Sequence, residues 1–150
     1  MRVVLQRVSH ASVTVDNNIT GQIKLGFLVL LGIVPEDTID DVNWLVNKCM
    51  NMRVFSDAED KMNLSIKDVG GSFLVVSQFT LHASTKKGNR PSFIKAARPD
   101  FAIPMYELFC KELEDKSGLS VEKGIFGADM KVELLNDGPV TIIVDSKTKE

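Results

Sequence analysis

Histidine and cysteine are almost missing from this chain of 150 residues, which has two of each: His10 and His82, Cys49 and Cys110. Two cysteines 61 positions apart form neither a disulfide framework nor a metal-ligand spacing. Each falls in an amphipathic helical pattern, which predicts buried thiols. No Gly-x-Ser-x-Gly, His-Glu-x-x-His, Walker-type glycine loop or dinucleotide fingerprint occurs, so no cofactor and no metal site is expected. Long hydrophobic runs are missing too. The longest, Gly26 to Val34, is far short of the about 20 residues that cross a bilayer as a helix, and no membrane association is expected. The opening Met1 to Arg7 alternates apolar with polar groups and lacks the apolar core of a secretory signal, which predicts a cytoplasmic protein.

What is present is the composition of one soluble globular domain over residues 1–150: 44% hydrophobic, 25% charged, with a formal net charge of −2. A chain this long buries about 68 to 70% of the surface its unfolded form exposes and needs no staples. Val3, Leu5 and Val8 lead into Ala11 to Asp16, and Asn17-Asn18 is a turn candidate before Ile19 to Ile23. The pattern is that of a β meander, with His10 in the tight connection between its first two strands. Gly26 to Ile33 is too uniformly apolar for a one-sided strand and predicts a central strand buried on both faces.

Thr38 caps a helix whose apolar residues Ile39, Val42, Leu45, Val46, Cys49 and Met52 recur at spacings of three and four. A polar loop at Ser56 to Lys61 and a turn at Gly70-Gly71 precede a second apolar strand, Ser72 to Phe79. Pro99 to Lys116 is the second helix, ended by Gly118. Leu119 to Glu122, Met130 to Leu135 and Val140 to Val144 complete the chain as strands, the last two joined at Asn136-Asp137-Gly138-Pro139. The order ββ-(βα)2-βββ predicts an α/β domain of three layers, α/β/β, with mixed sheets and two main helices.

Between Lys86 and Arg98 stand five basic residues and no acidic one, leaving 13 basic against 20 acidic, or −7, elsewhere. Such a segment is either a solvated loop or a local anion site. Two further segments carry chemistry. Ser77-Gln78-Phe79-Thr80-Leu81 places hydroxyls and an amide where an apolar strand ends, the position at which α/β sheets bind ligands. It reads either as a capped turn or as a nucleophile and a set of oxyanion donors. Asn136 to Pro139 reads as an ordinary hairpin, or as a Gly-Pro bond in the cis form that aims two carbonyls where a trans chain cannot.

Together, Ser77-Gln78-Phe79-Thr80-Leu81 and Asn136-Asp137-Gly138-Pro139-Val140-Thr141 closely resemble the paired signature motifs of the D-aminoacyl-tRNA deacylases, also called D-tyrosyl-tRNA deacylases. The likeness continues through Val4 to Val13, Gly88 to Phe93 and Gly124 to Met130, in order along essentially the whole chain. The resemblance implies hydrolysis of the ester joining a D-aminoacyl group to tRNA, and of glycyl-tRNA mischarged on alanine tRNA. It implies a homodimer with active sites at the subunit interface. Each would combine Ser77 to Leu81 of one chain with Gly138-Pro139 of its partner, whose carbonyls exclude L-amino acids. A rigid backbone wall can test handedness, because it fills the place an L side chain needs and leaves a D side chain directed outward.

The roles implied are catalytic for Ser77, Gln78, Phe79 and Thr80, with the Phe79 and Thr80 main-chain amides as oxyanion donors. Thr80 as nucleophile, with His82 as its base, is one route; activation by the 2′-hydroxyl of the terminal adenosine is another. Arg7 and Asn136 would support the Gly138-Pro139 segment, and Lys86, Lys87 and Arg90 would contact the tRNA backbone. A conventional hydroxyl hydrolase of small esters and an RNA-binding module without turnover are the competing functions.

Overall fold

The computed structural model describes residues 1–149. Its axis is β1 (Arg2–Val15). The first half of β1 pairs antiparallel with β3 (Gly26–Gly32), the second half with β2 (Asn18–Ile23), and β8 (Lys131–Asp145) runs antiparallel along nearly its whole length. From β3 the sheet continues in parallel, through β6 (Ser72–Ser77) to β7 (Val121–Lys123). Parallel neighbours need crossovers. The first carries α1 (Ile39–Asn51) and a small hairpin, β4 (Phe55–Ser56) and β5 (Met62–Leu64); the second carries α2 (Pro99–Ser117).

The sheet has two apolar faces. Val3, Leu5, Phe27, Val29 and Phe73 pack against Leu45 and Val46 of α1 and Phe109 and Leu113 of α2. Val8, Val13, Leu28, Leu74 and Val76 fill the inside of a curl made by the second half of β1, β2 and the start of β8. The curl is tight: a Cβ on Gly21 of β2 would lie 2.7 Å from the Lys123 carbonyl oxygen of β7. Helices, central strands and curled-over strands are the three layers of the predicted α/β class, the two β layers being parts of one sheet. Gly26 to Gly32 is the central strand expected, with Phe27, Leu28, Val29 and Leu31 no more than 1% exposed.

Both helices keep their predicted bounds closely, and Gly118 ends α2 in the left-handed conformation. Both thiols are buried, which pushes each up to about 12 and leaves it without nucleophilic character. Tyr106 is buried with its hydroxyl donating to the Val75 carbonyl at 2.8 Å, so α2 is tied to β6 two residues before that strand ends.

Three connections differ from the sequence reading. β1 does not turn at His10, which stands inside the strand opposite Leu135. Asn136 to Pro139 does not reverse the chain: Lys131 to Asp145 is one strand, interrupted by a bulge. Part of the polar loop after Val54 folds as the β4–β5 hairpin. In all three, pairing with a distant or neighbouring strand overrides residues that, taken locally, favour a turn.

Candidate active site

β3 and β6 end side by side, with Leu31 opposite Ser77. A cleft of about 320 Å³ opens beyond their carboxyl ends, walled by Leu31 and Ile33, by Ser77, Gln78 and Phe79, by Ala102 in the first turn of α2, and by Phe126 to Met130. The carboxyl end of a parallel pair leaves such a space because each chain turns away to its crossover. A larger groove, of about 580 Å³, lies between α1 and the end of β8 and reaches the far side of the turn that follows β6, at Arg2 and Leu81.

After Ser77 the chain enters a single 3-10 turn, Phe79–His82. The Gln78 N–H donates to the Leu31 carbonyl at 2.8 Å, which continues the β3–β6 ladder by one rung. The Leu81 N–H then donates to Gln78 (3.2 Å) and the Ala83 N–H to Thr80 (3.0 Å). The Phe79 and Thr80 amides come before the first donor of the turn, so they have no acceptor within it. Arg2 fixes the far side of the turn, its Nη1 donating to the Leu81 carbonyl at 2.7 Å. The Gln78 side-chain amide donates to the Thr80 hydroxyl oxygen at 2.6 Å.

His82 faces inward, 8% exposed, with its Nε2 buried and unpartnered among the described residues. Its ring lies so close to Gly32 that a Cβ there would be 2.9 Å from Cδ2. Burial lowers its pKa below the usual histidine value; the Arg2 cation acts in the same direction and the Gly32 backbone against it. The hydroxyl–imidazole pair considered from the sequence is therefore not formed: the Thr80 oxygen is held by Gln78, and the His82 ring is turned to β3.

The second signature segment forms a separate cluster. Between the pairs Val8↔Asn136 and Gln6↔Thr141, the residues from Asp137 to Val140 oppose Arg7 alone, so the excess chain projects from the sheet. Asn136 closes the base of this bulge, its Oδ1 accepting from the Val140 N–H at 3.0 Å and its Nδ2 donating to the Val140 carbonyl at 3.2 Å. Arg7 supports it from beneath, only 9% exposed, donating from Nε to the Asp137 carbonyl (2.9 Å) and from Nη1 to the Val54 carbonyl (2.6 Å). The Gly138–Pro139 peptide is cis and both residues are exposed. Gly138 has a φ of 129°, and a Cβ there would lie 2.8 Å from the Arg7 guanidinium.

Ser77, Gln78, Phe79 and Thr80 thus stand together at the cleft, and Arg7, Asn136, Gly138 and Pro139 together on the bulge. The two groups do not meet within one chain. Arg7 is level with Phe27, whereas Ser77 is level with Leu31, a separation of about 13 Å at the rise of a strand. Lys86, Lys87 and Arg90 are exposed, on the loop that the Ser84–Ser92 bridge closes, and belong to neither group. The wall formed by Phe126 to Met130 had no assigned role in the sequence, although the resemblance runs through Gly124 to Met130; Gly127 turns it, with a φ of 77°.

Comparison with known proteins agrees with this architecture. Residues 4–145 match the family described as D-Tyr-tRNA(Tyr) deacylase. A protein of Flavobacterium johnsoniae named D-aminoacyl-tRNA deacylase is 63% identical over 150 residues, all of both chains, and one of the same name from Akkermansia muciniphila is 61% identical over the same span. The solved structure of a c-Myc DNA unwinding element binding protein is 41% identical, with a TM-score of 0.91 over 97% of this chain and 98% of that one. A second, titled a "probable eukaryotic D-amino acid tRNA deacylase", has a TM-score of 0.81 at 18% identity, over 95% and 97% of the two chains, and shows the shared fold. This chain belongs to the D-tyrosyl-tRNA deacylase family.

Proposed function

We propose that this protein hydrolyses the ester bond of D-aminoacyl-tRNA, and of glycyl-tRNA mischarged on alanine tRNA, to free amino acid and tRNA, while rejecting L-aminoacyl-tRNA. The observation that carries the chemistry is the pair of main-chain amides, Phe79 and Thr80, left without acceptors in the turn at the cleft. Water attacks the ester carbonyl, the developing oxyanion is received by these two N–H groups, and the ribose 3′-oxygen leaves. Aminoacyl esters are labile, so fixed donors and a held water suffice without a strong nucleophile. The 2′-hydroxyl of the terminal adenosine takes a proton from the attacking water and gives its own to the departing 3′-oxygen, and the Gln78–Thr80 hydrogen bond keeps the turn in shape.

Selection by handedness uses the Gly138-Pro139 bulge of a second copy. The 13 Å that separates bulge from cleft along the strands supports this arrangement, because a bulge that cannot reach its own cleft can reach a partner's about a two-fold axis. Exposed apolar side chains are available to a second copy, among them Ile143, Phe79 and Leu135 at 68, 55 and 53% exposure. Lys86, Lys87 and Arg90 meet the tRNA backbone. Residues 1–150 act as a single domain, and a tRNA substrate places the work in the cytoplasm.

The test is single-turnover deacylation of D-tyrosyl-, L-tyrosyl- and glycyl-tRNA by wild type and Thr80→Ala. Release of D-tyrosine and glycine but not L-tyrosine is expected, with less than about a tenfold loss in Thr80→Ala, since removal of a non-reacting hydroxyl forfeits about one hydrogen bond. Abolition of turnover in a folded Thr80→Ala protein would make Thr80 the nucleophile. Wild type inactive on all three overturns the assignment.

A further inference from the structure

The strap from Ser84 to Ala97 takes no part in the chemistry above, yet it is well tied down. Ser84 and Ser92 exchange two backbone hydrogen bonds, at 2.7 and 2.9 Å, which close its neck, and the Ala97 N–H donates to the Ile33 carbonyl at 2.9 Å, which anchors its end beside the cleft. Gly88, with a φ of 66°, turns the tip. The tip carries Lys86, Lys87 and Arg90, and Lys95 and Arg98 follow the neck. None of the five enters an ion pair among the described residues.

At the neck two apolar side chains face solvent. Ile94 is 87% exposed and Phe93 is 37% exposed. The Phe93 ring packs against that of Phe79 in a T-shaped pair, with ring centres 5.1 Å apart and planes at 77°. Phe79 is itself part of the cleft wall, so Phe93 lies one side chain away from the cleft. Unpaired cations around an exposed aromatic ring do not suit a protein partner, whose interface cores are poor in lysine. They suit single-stranded nucleic acid, whose bases stack on aromatic rings and whose phosphates follow a basic track.

We propose that this strap binds the unpaired nucleotides preceding the terminal adenosine of the aminoacyl-tRNA, one base stacking on Phe93 beside Ile94 while the phosphates meet Lys86, Lys87 and Arg90. The inference rests on the deacylase reading of the cleft. Stacking accepts any base, because every base has a π face, so the contact supplies grip on the RNA end without reading the identity of the tRNA.

The test compares kcat/KM of wild type, Phe93→Ala and Phe93→Trp on two substrates: D-tyrosyl-tRNA, and the D-tyrosyl ester of adenosine alone, which has no preceding nucleotide. Phe93→Ala is expected to lose about tenfold more on the tRNA than on the adenosine ester, chiefly through KM, and Phe93→Trp to recover most of that difference. Equal losses on both substrates would mean that Phe93 only supports Phe79, and would overturn the proposal, as would no loss on tRNA or the same loss in Phe93→Trp as in Phe93→Ala. Wild type that cleaves neither ester overturns the deacylase reading and this inference with it; wild type that cleaves both while Phe93→Ala matches it overturns this inference alone.

Discussion

The cleft at the end of β6 and the bulge on β8 are built by opposite means. At the cleft the backbone runs out of partners: β3 and β6 stop, the chain tightens into a 3-10 turn, and the Phe79 and Thr80 amides have no acceptor within it. On the bulge the backbone has too much chain for its ladder, and side chains hold the excess, Arg7 from below and Asn136 from within. A shortage of partners yields donors, which suits the stabilisation of charge. An excess of chain yields a projecting piece of defined shape, which suits exclusion. The first is insensitive to most side-chain changes; the second depends on a few.

That contrast is most exposed to damage at Arg7. Arg7→Ala removes a buried cation and both of its carbonyl contacts, leaving the Val54 oxygen without its donor, and is expected to destabilise by about 3 kcal/mol in urea unfolding. Under the proposed roles it also admits L-tyrosyl-tRNA, so the ratio of D to L cleavage falls even where cleavage of the D ester persists. A variant that keeps full stability and full selectivity would show that the bulge holds itself. Gly138→Ala comes next. Its φ is one that L residues rarely adopt and its Cβ would press on the guanidinium, so a loss of about 2 kcal/mol is expected, read as a shifted urea midpoint with an unchanged slope.

Asn136→Ala removes the clamp at the base of the bulge and is expected to cost about 1 kcal/mol. Under the proposed roles its deacylation assay should show loosened handedness with an unaltered rate on glycyl-tRNA, because glycine has no side chain for the bulge to test. The smallest effect belongs to the cleft side. The pKa of His82 is lower in the folded chain than in the unfolded one, so the unfolded chain binds more protons as pH falls below about 6.5. The stability His82 lends as a neutral ring is complete above that pH and is lost on acidification through the folded value. His82→Gln should flatten the acid limb below about pH 6.5; an unchanged limb would place the titration elsewhere.

Much of this arrangement is visible in the residues themselves. The doubly buried β3, both helices and the end of α2 at Gly118 follow from periodicity, capping and a left-handed position. The end of β6 follows only roughly from apolar residues giving way to hydroxyls: the pattern runs the strand on to Phe79, whereas it stops at Ser77 and Phe79 opens the 3-10 turn. The two long strands do not follow, for a specific reason. Asn136-Asp137-Gly138-Pro139 has the chemistry of a turn, and a bulge needs the same residues as a turn, since both must dispose of backbone that no ladder accepts. Whether the chain then reverses or resumes is decided by β1 alongside it, whose own irregularity between Val8 and His10 lies next to the bulge. Neither strand shows this alone. Likewise His82 reads as a candidate base until Gly32, 50 positions earlier, leaves the room that turns its ring inward.

The pairing of β1 with β8 joins Arg2 to Asp145, and this has a consequence in time. During synthesis the Phe79 to His82 turn emerges about 60 residues ahead of the bulge, or about 3 to 12 seconds at usual elongation rates. Arg7 can reach the Val54 carbonyl early, but it must wait for Asp137, 130 residues later, before it has the carbonyl of the bulge to hold. The piece that projects from the sheet is therefore assembled only when β1 and β8 have met, and a chain stopped before Asp137 would carry the strand-end turn without the part that stands opposite Arg7.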